Sequence, residues 1–193
     1  MTTCRPLRTD DLFRFGRINL DVEFTETYHM SFYLKYLGTW PEQLLALEGP
    51  SGQLFAYLMG KTEGKDALWH GHVTAITVRA PLPRATDATD AAPQVASDHR
   101  RLGAAGSLMR YLEQLSDSER CYFVDLFVRV SNVRAIDMYR RLGYSVYRRI
   151  KDYYSGESSE DAFDMRKALS ADAKRESVRP VGRLVTVDEI EFN

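Results

Sequence analysis

The spacing of apolar residues changes period several times along the chain, and each change marks an element. Residues 4–7 read as a short edge strand. Thr9-Asp10-Asp11 offers capping residues for a helix through Leu12, Phe13, Phe15 and Ile18. A loop follows from Asn19. Ser31 is placed to cap a second helix carrying Phe32, Leu34, Tyr36 and Leu37, stopped by Gly38 and Pro41. Residues 44–48 and 54–59 read as the arms of a hairpin around Gly49-Pro50-Ser51-Gly52, with a polar loop at 62–66. Residues 69–78 alternate with period two, so His70, His72, Thr74, Ile76 and Val78 share one strand face.

The pattern then breaks. Residues 79–98 hold Pro81, Pro83, Pro93 and six alanines, keep no periodicity and read as a flexible surface insertion. Helical spacing resumes with Ala105, Leu108, Met109, Leu112 and Leu115, predicting a helix over 103–118. The apolar run 121–128 suits a buried central strand. Ser131 or Asn132 caps a helix with Ala135, Met138, Tyr139 and Leu142 on one face, ended by Gly143. Strands follow at 144–153 and 162–167, around a turn at 156–160. Residues 170–193 are charged and weakly patterned and read as a C-terminal tail behind a domain of residues 1–169. The order is that of an α/β domain with a mostly antiparallel first half and a central strand-helix-strand crossing.

Composition narrows the class. A chain of 193 residues with 44% hydrophobic and 27% charged residues can bury one real core. A net charge of −1 provides no basic field for nucleic acid. Cys4 and Cys121 lie far apart without ligand-like neighbours, which fits a reducing compartment. No apolar run approaches a membrane span, so a cytoplasmic protein is expected.

Two stretches carry candidate chemistry. His99-Arg100-Arg101-Leu102-Gly103-Ala104-Ala105-Gly106 puts two arginines before a small-residue turn that opens a helix. Unpaired N–H groups at the positive end of the helix dipole, with arginine charge beside them, suit phosphate. An ordinary helix start after a loop is the plain alternative. His70-Gly71-His72 invites a metal reading, but no third ligand stands nearby in sequence, so no metal is expected.

Arg100-Arg101-Leu102-Gly103-Ala104-Ala105 also resembles the R/Q-x-x-G-x-G/A acetyl-CoA motif of the GNAT acetyltransferases, and it follows a strand and opens a helix as that family requires. The resemblance extends to the family of catalytic subunits of NatB N-terminal acetyltransferase complexes over about residues 1–170. It is carried by Met1-Thr2-Thr3, Asp10-Asp11-Leu12-Phe13-Arg14-Phe15, Thr25-Glu26-Thr27-Tyr28 and Trp69-His70-Gly71-His72-Val73-Thr74-Ala75. Further blocks are Phe123-Val124-Asp125-Leu126-Phe127-Val128-Arg129-Val130-Ser131-Asn132, Leu142-Gly143-Tyr144-Ser145-Val146-Tyr147-Arg148, Tyr153-Tyr154-Ser155 and Asp164-Met165-Arg166-Lys167-Ala168-Leu169-Ser170. The chain departs from that family in the long 79–98 segment and in His29, where a small residue is usual.

The resemblance implies a GNAT fold, a mixed and mostly antiparallel sheet flanked by helices. It implies acetyl transfer from acetyl-CoA, without a metal, to the α-amino group of initiator Met before Asp, Glu, Asn or Gln. Arg100, Arg101, Gly103, Ala104, Ala105 and Asn132 would hold the cofactor, with backbone around Ile76 and Val78 near the reacting carbonyl. Tyr139 would protonate the leaving thiolate and Glu26 would serve the amine. Glu26, Tyr28, Ala75, Phe127, Tyr153 and Tyr154 would surround the peptide, with His72 and Thr74 reading its second residue. The implied partners are a large helical-repeat auxiliary subunit, nascent protein N-termini and, through the complex, the ribosome, with no direct nucleic-acid or membrane contact. Phe13, Phe15, Phe32 and Tyr36 are candidates for the subunit interface or for the core. A GNAT enzyme acting on lysine or small amines, which a substrate panel would reveal, is the enzymatic alternative. An inactive GNAT domain used as a binding module, which would fail to bind acetyl-CoA, is the other.

Overall fold

The computed structural model describes residues 2–15, 18, 26–50, 52–78, 103–155 and 159–190. The 79–98 segment, Arg100 and Arg101 lie outside them. Among the described residues the strands are β1 (Thr3–Pro6), β2 (Leu44–Glu48), β3 (Leu54–Glu63), β4 (His70–Val78), β5 (Phe123–Arg129), β6 (Ser145–Tyr154), β7 (Glu160–Ala168) and β8 (Leu184–Val185). The helices are α1 (Met30–Thr39), α2 (Ala104–Ser118) and α3 (Val133–Arg141). The strands form one sheet in the order β1-β2-β3-β4-β5-β7-β6-β8. β4 and β5 pair in parallel, from His70↔Phe123 to Val73↔Leu126, the pairing expected of two strands whose connection contains a helix. The chain divides into one compact unit of Met1–Met59 with Ala75–Tyr111 and another of Gly60–Thr74 with Leu112–Asn193.

In the first unit an aromatic core forms behind β2 and β3. Phe15 stacks on Tyr57 at 4.1 Å and meets Tyr33 edge-on at 5.4 Å. Leu12, Tyr36, Leu44, Ala46 and Met59 complete it. The helix expected from Thr9 through Ile18 is instead a 3-10 helix, Thr9–Arg14. The cause is Asp11, whose carboxylate accepts from Arg8 N–H at 2.8 Å and from both Arg5 Nη atoms at 2.6 and 2.8 Å. That clamp fastens the turn to β1, and i→i+3 bonds carry on to Ile18. In α1 the N-cap position is His29, not Ser31, and Gly38 lies inside the helix rather than ending it.

In the second unit β5 pairs antiparallel with β7 through Asp125↔Arg166, and β7 with β6. Asn132 caps α3 by accepting from Ala135 N–H at 3.2 Å. The expected tail is folded here. β8 pairs in parallel with β6, and Val185 and Ile190 bury against Ile150 and Ala162. Its apolar residues are few and irregularly spaced, so no periodicity announced them. β3 also runs on to Glu63, through the expected polar loop.

Gly71 sits between His70 and His72 where β4 meets α2. A Cβ there would lie 2.2 Å from Ser116 Oγ and 3.0 Å from Ser116 Cβ. Gly71→Ala should therefore cost about 1–3 kcal/mol by overpacking, measured by denaturant unfolding. Ser116→Ala removes a hydroxyl that has no hydrogen-bond partner among the described residues, and should recover part of that loss.

Candidate active site

The chemically dense part of the second unit is a pocket lined by His70 and His72 of β4, Asp125 of β5, Arg166 of β7, Arg148 and Tyr147 of β6, Glu63 of β3 and Glu189 of the C-terminal segment. Asp125 is 4% exposed. Its Oδ1 is 2.7 Å from His72 Nδ1 and its Oδ2 is 3.6 Å from His70 Nε2. Burial pushes the Asp125 carboxyl upward, but the His72 charge and hydrogen bond, with His70 and Arg166, outweigh this and hold it well below the usual range. His70 donates Nδ1–H to Leu68 O at 2.6 Å and stacks flat on Phe123 at 4.7 Å. Arg166 lies over the Tyr147 ring at 3.6 Å and the Phe123 ring at 4.4 Å, and donates to Asp164 at 3.1 and 3.2 Å. Arg148 joins the same carboxylate at 2.8 Å.

Glu63, His70 and His72 bring three possible metal-ligand atoms within 4.8 Å of one another, so β3 supplies the acid that sequence neighbourhood lacked. Cations already serve these acids, with Lys61 on Glu63 and Arg166 paired opposite Asp125.

His72 and Thr74 are both half-buried on β4. The His72 ring tilts against Phe127 at 5.5 Å, and Phe127 meets Tyr153 at 4.8 Å. Neighbours in a regular strand face opposite ways, which would separate Tyr153 from Tyr154. Yet their rings meet edge to face at 5.0 Å, and both pack on the Ile150–Ala162–Val185–Ile190 cluster. A bulge reconciles this. The register slips between Ile150 and Tyr154, where Asp152 adopts φ 49° and its N–H is caught by Asp161 at 2.9 Å. Arg129 then covers Tyr154 at 4.1 Å. Tyr139 is buried, edge-on to Tyr144 at 5.9 Å, and burial pushes its hydroxyl pKa far up.

In the first unit Glu26 is exposed and Tyr28 half-buried. Tyr28 stacks on Phe32 at 4.3 Å, and its N–H donates to Tyr33 Oη at 3.2 Å. His29 is exposed. Ala75 packs against the aromatic core, and Ile76 and Val78 are half-buried on β4. Gly103 precedes α2 with φ 68°, Ala104 is buried and Ala105 half-buried. Of the interface candidates, Phe15 and Tyr36 are core residues, Phe32 is half-buried and Phe13 is 81% exposed.

Sequence reading missed Asp125, Arg166 and Glu63 as site residues. Asp125 left a signal, as the lone charge inside an apolar strand run, because a buried carboxylate must be paired.

Residues 10–144 match the Acetyltransferase (GNAT) family. The chain belongs to the GNAT acetyltransferase family. It is 47% identical over 194 residues, covering all of both chains, to an N-terminal acetyltransferase B complex catalytic subunit of Arabidopsis thaliana. It is 48% identical over 186 residues to the Schizosaccharomyces pombe subunit of the same name, covering 94% of this chain and 93% of that one. Among solved structures, the Chaetomium thermophilum counterpart in complex with a bisubstrate analogue superposes with a TM-score of 0.81 at 38% identity. It covers 95% of this chain and 96% of that one. A NatB acetyltransferase complex bound to CoA gives a TM-score of 0.70 at 38% identity, over 86% and 99% of the two chains.

In this GNAT acetyltransferase the backbone at the start of α2 suits an anionic group such as a pyrophosphate. The first α2 bond outside its own ladder is Ser107 N–H to Gly103 O at 2.8 Å, so the N–H groups before Ser107 lack intrahelical acceptors. Their residues are Gly103, Ala104, Ala105 and Gly106, which leave backbone approachable. A Cβ at Gly103 would meet nothing within 4 Å among the described residues, so glycine suits that position for its left-handed backbone rather than for space. Gly103→Ala should cost about 1 kcal/mol of strain at this turn. Calorimetric titration should show acetyl-CoA affinity lowered several-fold, with the thermal midpoint lowered by about 2–4 °C.

Proposed function

We propose that this chain is the catalytic subunit of a NatB-type complex and acetylates the α-amino group of initiator Met in proteins beginning Met-Asp, Met-Glu, Met-Asn or Met-Gln. Full-length similarity to catalytic subunits of that complex carries the reading. The polar pocket around His72 supports its substrate preference. Acetyl-CoA supplies the activated acetyl group.

The residues divide the remaining work. A free α-amine has a pKa of roughly 7.7–8.0, so much of it is nucleophilic already and little base strength is needed. Glu26 attracts the ammonium form and takes its proton through water. The backbone at Ile76 and Val78 stabilises the charge that develops on the acetyl oxygen. β4 continues to Val78 while its described pairing with β5 ends at Val73, which supports that role. Tyr139 stays protonated because burial raises its pKa, and it donates to the departing thiolate. Asn132 helps hold the cofactor while capping α3. Arg100 and Arg101 contribute charge to the pyrophosphate with Gly103, Ala104 and Ala105. Tyr28, Ala75, Phe127, Tyr153 and Tyr154 wall the peptide.

His72 and Thr74 read the second residue. All four preferred residues carry a side-chain carbonyl-type oxygen, and an apolar residue would strand the pocket's polar groups at roughly 1–3 kcal/mol each. Exposed Phe13, Met30 and Leu34 of the first unit are candidates for contact with an auxiliary subunit, through which the chain would meet nascent chains at cytosolic ribosomes.

A mass-spectrometric panel of N-terminal peptides tests the reading. Met-Asp and Met-Asn peptides should be acetylated far faster than Met-Leu, and internal lysines not at all. In His72→Ala the advantage of Met-Asp over Met-Leu should shrink about tenfold or more. Equal rates on lysine peptides would assign the chain to the broader acetyltransferases. Tyr139→Phe should lower kcat by about a hundredfold while the melting temperature moves little, as expected of a general acid.

A further inference from the structure

His70 is held from two sides. Its Nδ1–H donates to Leu68 O at 2.6 Å, and its ring lies flat on Phe123. The residue is only 9% exposed. Nε2 is therefore the nitrogen left to act. It lies near two carboxylates, with Asp125 Oδ2 at 3.6 Å and Glu63 Oε1 at 3.8 Å. Both separations are too long for a good hydrogen bond. They are close to the spacing of ligands around a small cation. With bonds of about 2.0–2.1 Å, a tetrahedral ion keeps neighbouring ligand atoms about 3.3 Å apart.

His72 completes the group. One ligand atom from each of Glu63, His70 and His72 lies within 4.8 Å of the others. Asp125 Oδ1 fixes the His72 ring through Nδ1 at 2.7 Å, as Leu68 O fixes the His70 ring. Carboxylate and carbonyl partners of this kind orient the imidazoles of metal sites. The neighbouring cations leave the group accessible. Lys61 pairs with Glu63 Oε2, whereas Oε1 is the atom near His70. Arg166 gives its Nε and Nη2 to Asp164.

We infer that Glu63, His70 and His72 form a binding site for Zn2+, and that the ion blocks the peptide pocket rather than taking part in acetyl transfer. Two imidazoles with one carboxylate suit a borderline metal such as Zn2+, whereas Ca2+ and Mg2+ take oxygen ligands. Three protein ligands leave a fourth position open to the pocket. The blocking role rests on the proposed placement of the substrate's second residue against His72. An ion held by His72 occupies the group that would read that residue. None of the three ligands belongs to the turn at Gly103, Ala104 and Ala105, so cofactor binding is spared.

The test titrates the full-length chain, first stripped of metal by a chelator, with CoCl2 and then with ZnCl2. Co2+ is the probe because tetrahedral coordination gives it strong visible absorption. About one equivalent should bind with strong bands, and ZnCl2 should displace it. In Glu63→Gln and in His70→Gln the Co2+ affinity should fall at least about tenfold, with circular dichroism showing a native fold. Should His70→Gln fail to fold, Glu63→Gln decides. Absence of the bands, or unchanged affinity in Glu63→Gln, overturns the site.

Steady-state kinetics of the assembled complex test the blocking role. ZnCl2 should raise the KM for a Met-Asp peptide, leave the KM for acetyl-CoA unchanged, and be reversed by EDTA. If the Co2+ bands appear but ZnCl2 leaves the peptide KM unchanged, the blocking role is overturned, and the placement of the second residue against His72 with it. If the bands are absent while Met-Asp is still preferred to Met-Leu and the preference is lost in His72→Ala, the metal inference alone fails.

Discussion

The buried carboxylate of Asp125 constrains the second unit more than any other single group. Removing such a charge from water costs several kcal/mol, so the strands around it must deliver compensation. β4 delivers two imidazoles and β7 an arginine, each at a fixed register position: His72↔Asp125 and Asp125↔Arg166. A slip of one residue in either pairing would turn these partners to the opposite face and leave the charge bare. The apolar neighbours Phe123, Val124 and Leu126 bury the strand but would tolerate several registers. The lone acid selects one of them.

Arg166 extends the constraint. Its guanidinium is buried, sandwiched by Phe123 and Tyr147, and shared with Asp164, which is itself fully buried and also holds Arg148. Burial and the nearby Asp125 charge raise the Asp164 pKa, and the two arginines oppose that rise. Four strands thus meet in a chain of alternating basic and acidic groups, His72, Asp125, Arg166, Asp164 and Arg148. Such networks hold geometry tightly only when each member is satisfied. The imidazole that faces the pocket inherits that rigidity.

The elements with strong local patterning were legible in the sequence. The period-two strand at 69–78, the helical spacing after Gly103 and the apolar run at 121–128 all appear within two residues of their expected bounds. What was not legible depended on contacts distant in sequence. Asp11 turned a helix start into a 3-10 clamp because Arg5 and β1 were in reach. The Asp152 bulge brought Tyr153 and Tyr154 onto one cluster because Asp161, on the partner strand, caught its N–H. The C-terminal segment looked like a tail because Val185 and Ile190 mean little until β6 offers an uncovered edge and an apolar floor. For the site, individual residues such as His72 and Tyr139 were visible by resemblance. The pairing that sets their chemistry was not, since Asp125 is 53 positions from its histidine.

Clusters of perturbed titratable groups usually point to the acid–base machinery of an enzyme. Here the densest cluster lies in the proposed recognition pocket, and the chemistry explains why. An α-amine near neutral pH needs little help to become a nucleophile, and a thioester is already activated, so positioning and oxyanion stabilisation dominate. In the proposed mechanism backbone N–H groups provide both without titrating. Discrimination is the harder demand, because Asp, Glu, Asn and Gln differ in charge and length and share only an acceptor oxygen. A rigid neutral donor would recognise that oxygen but gain nothing from the charge of the acids. An imidazole held at one nitrogen by a buried carboxylate presents its other nitrogen in a single geometry, within a pocket that Arg148 and Arg166 also line.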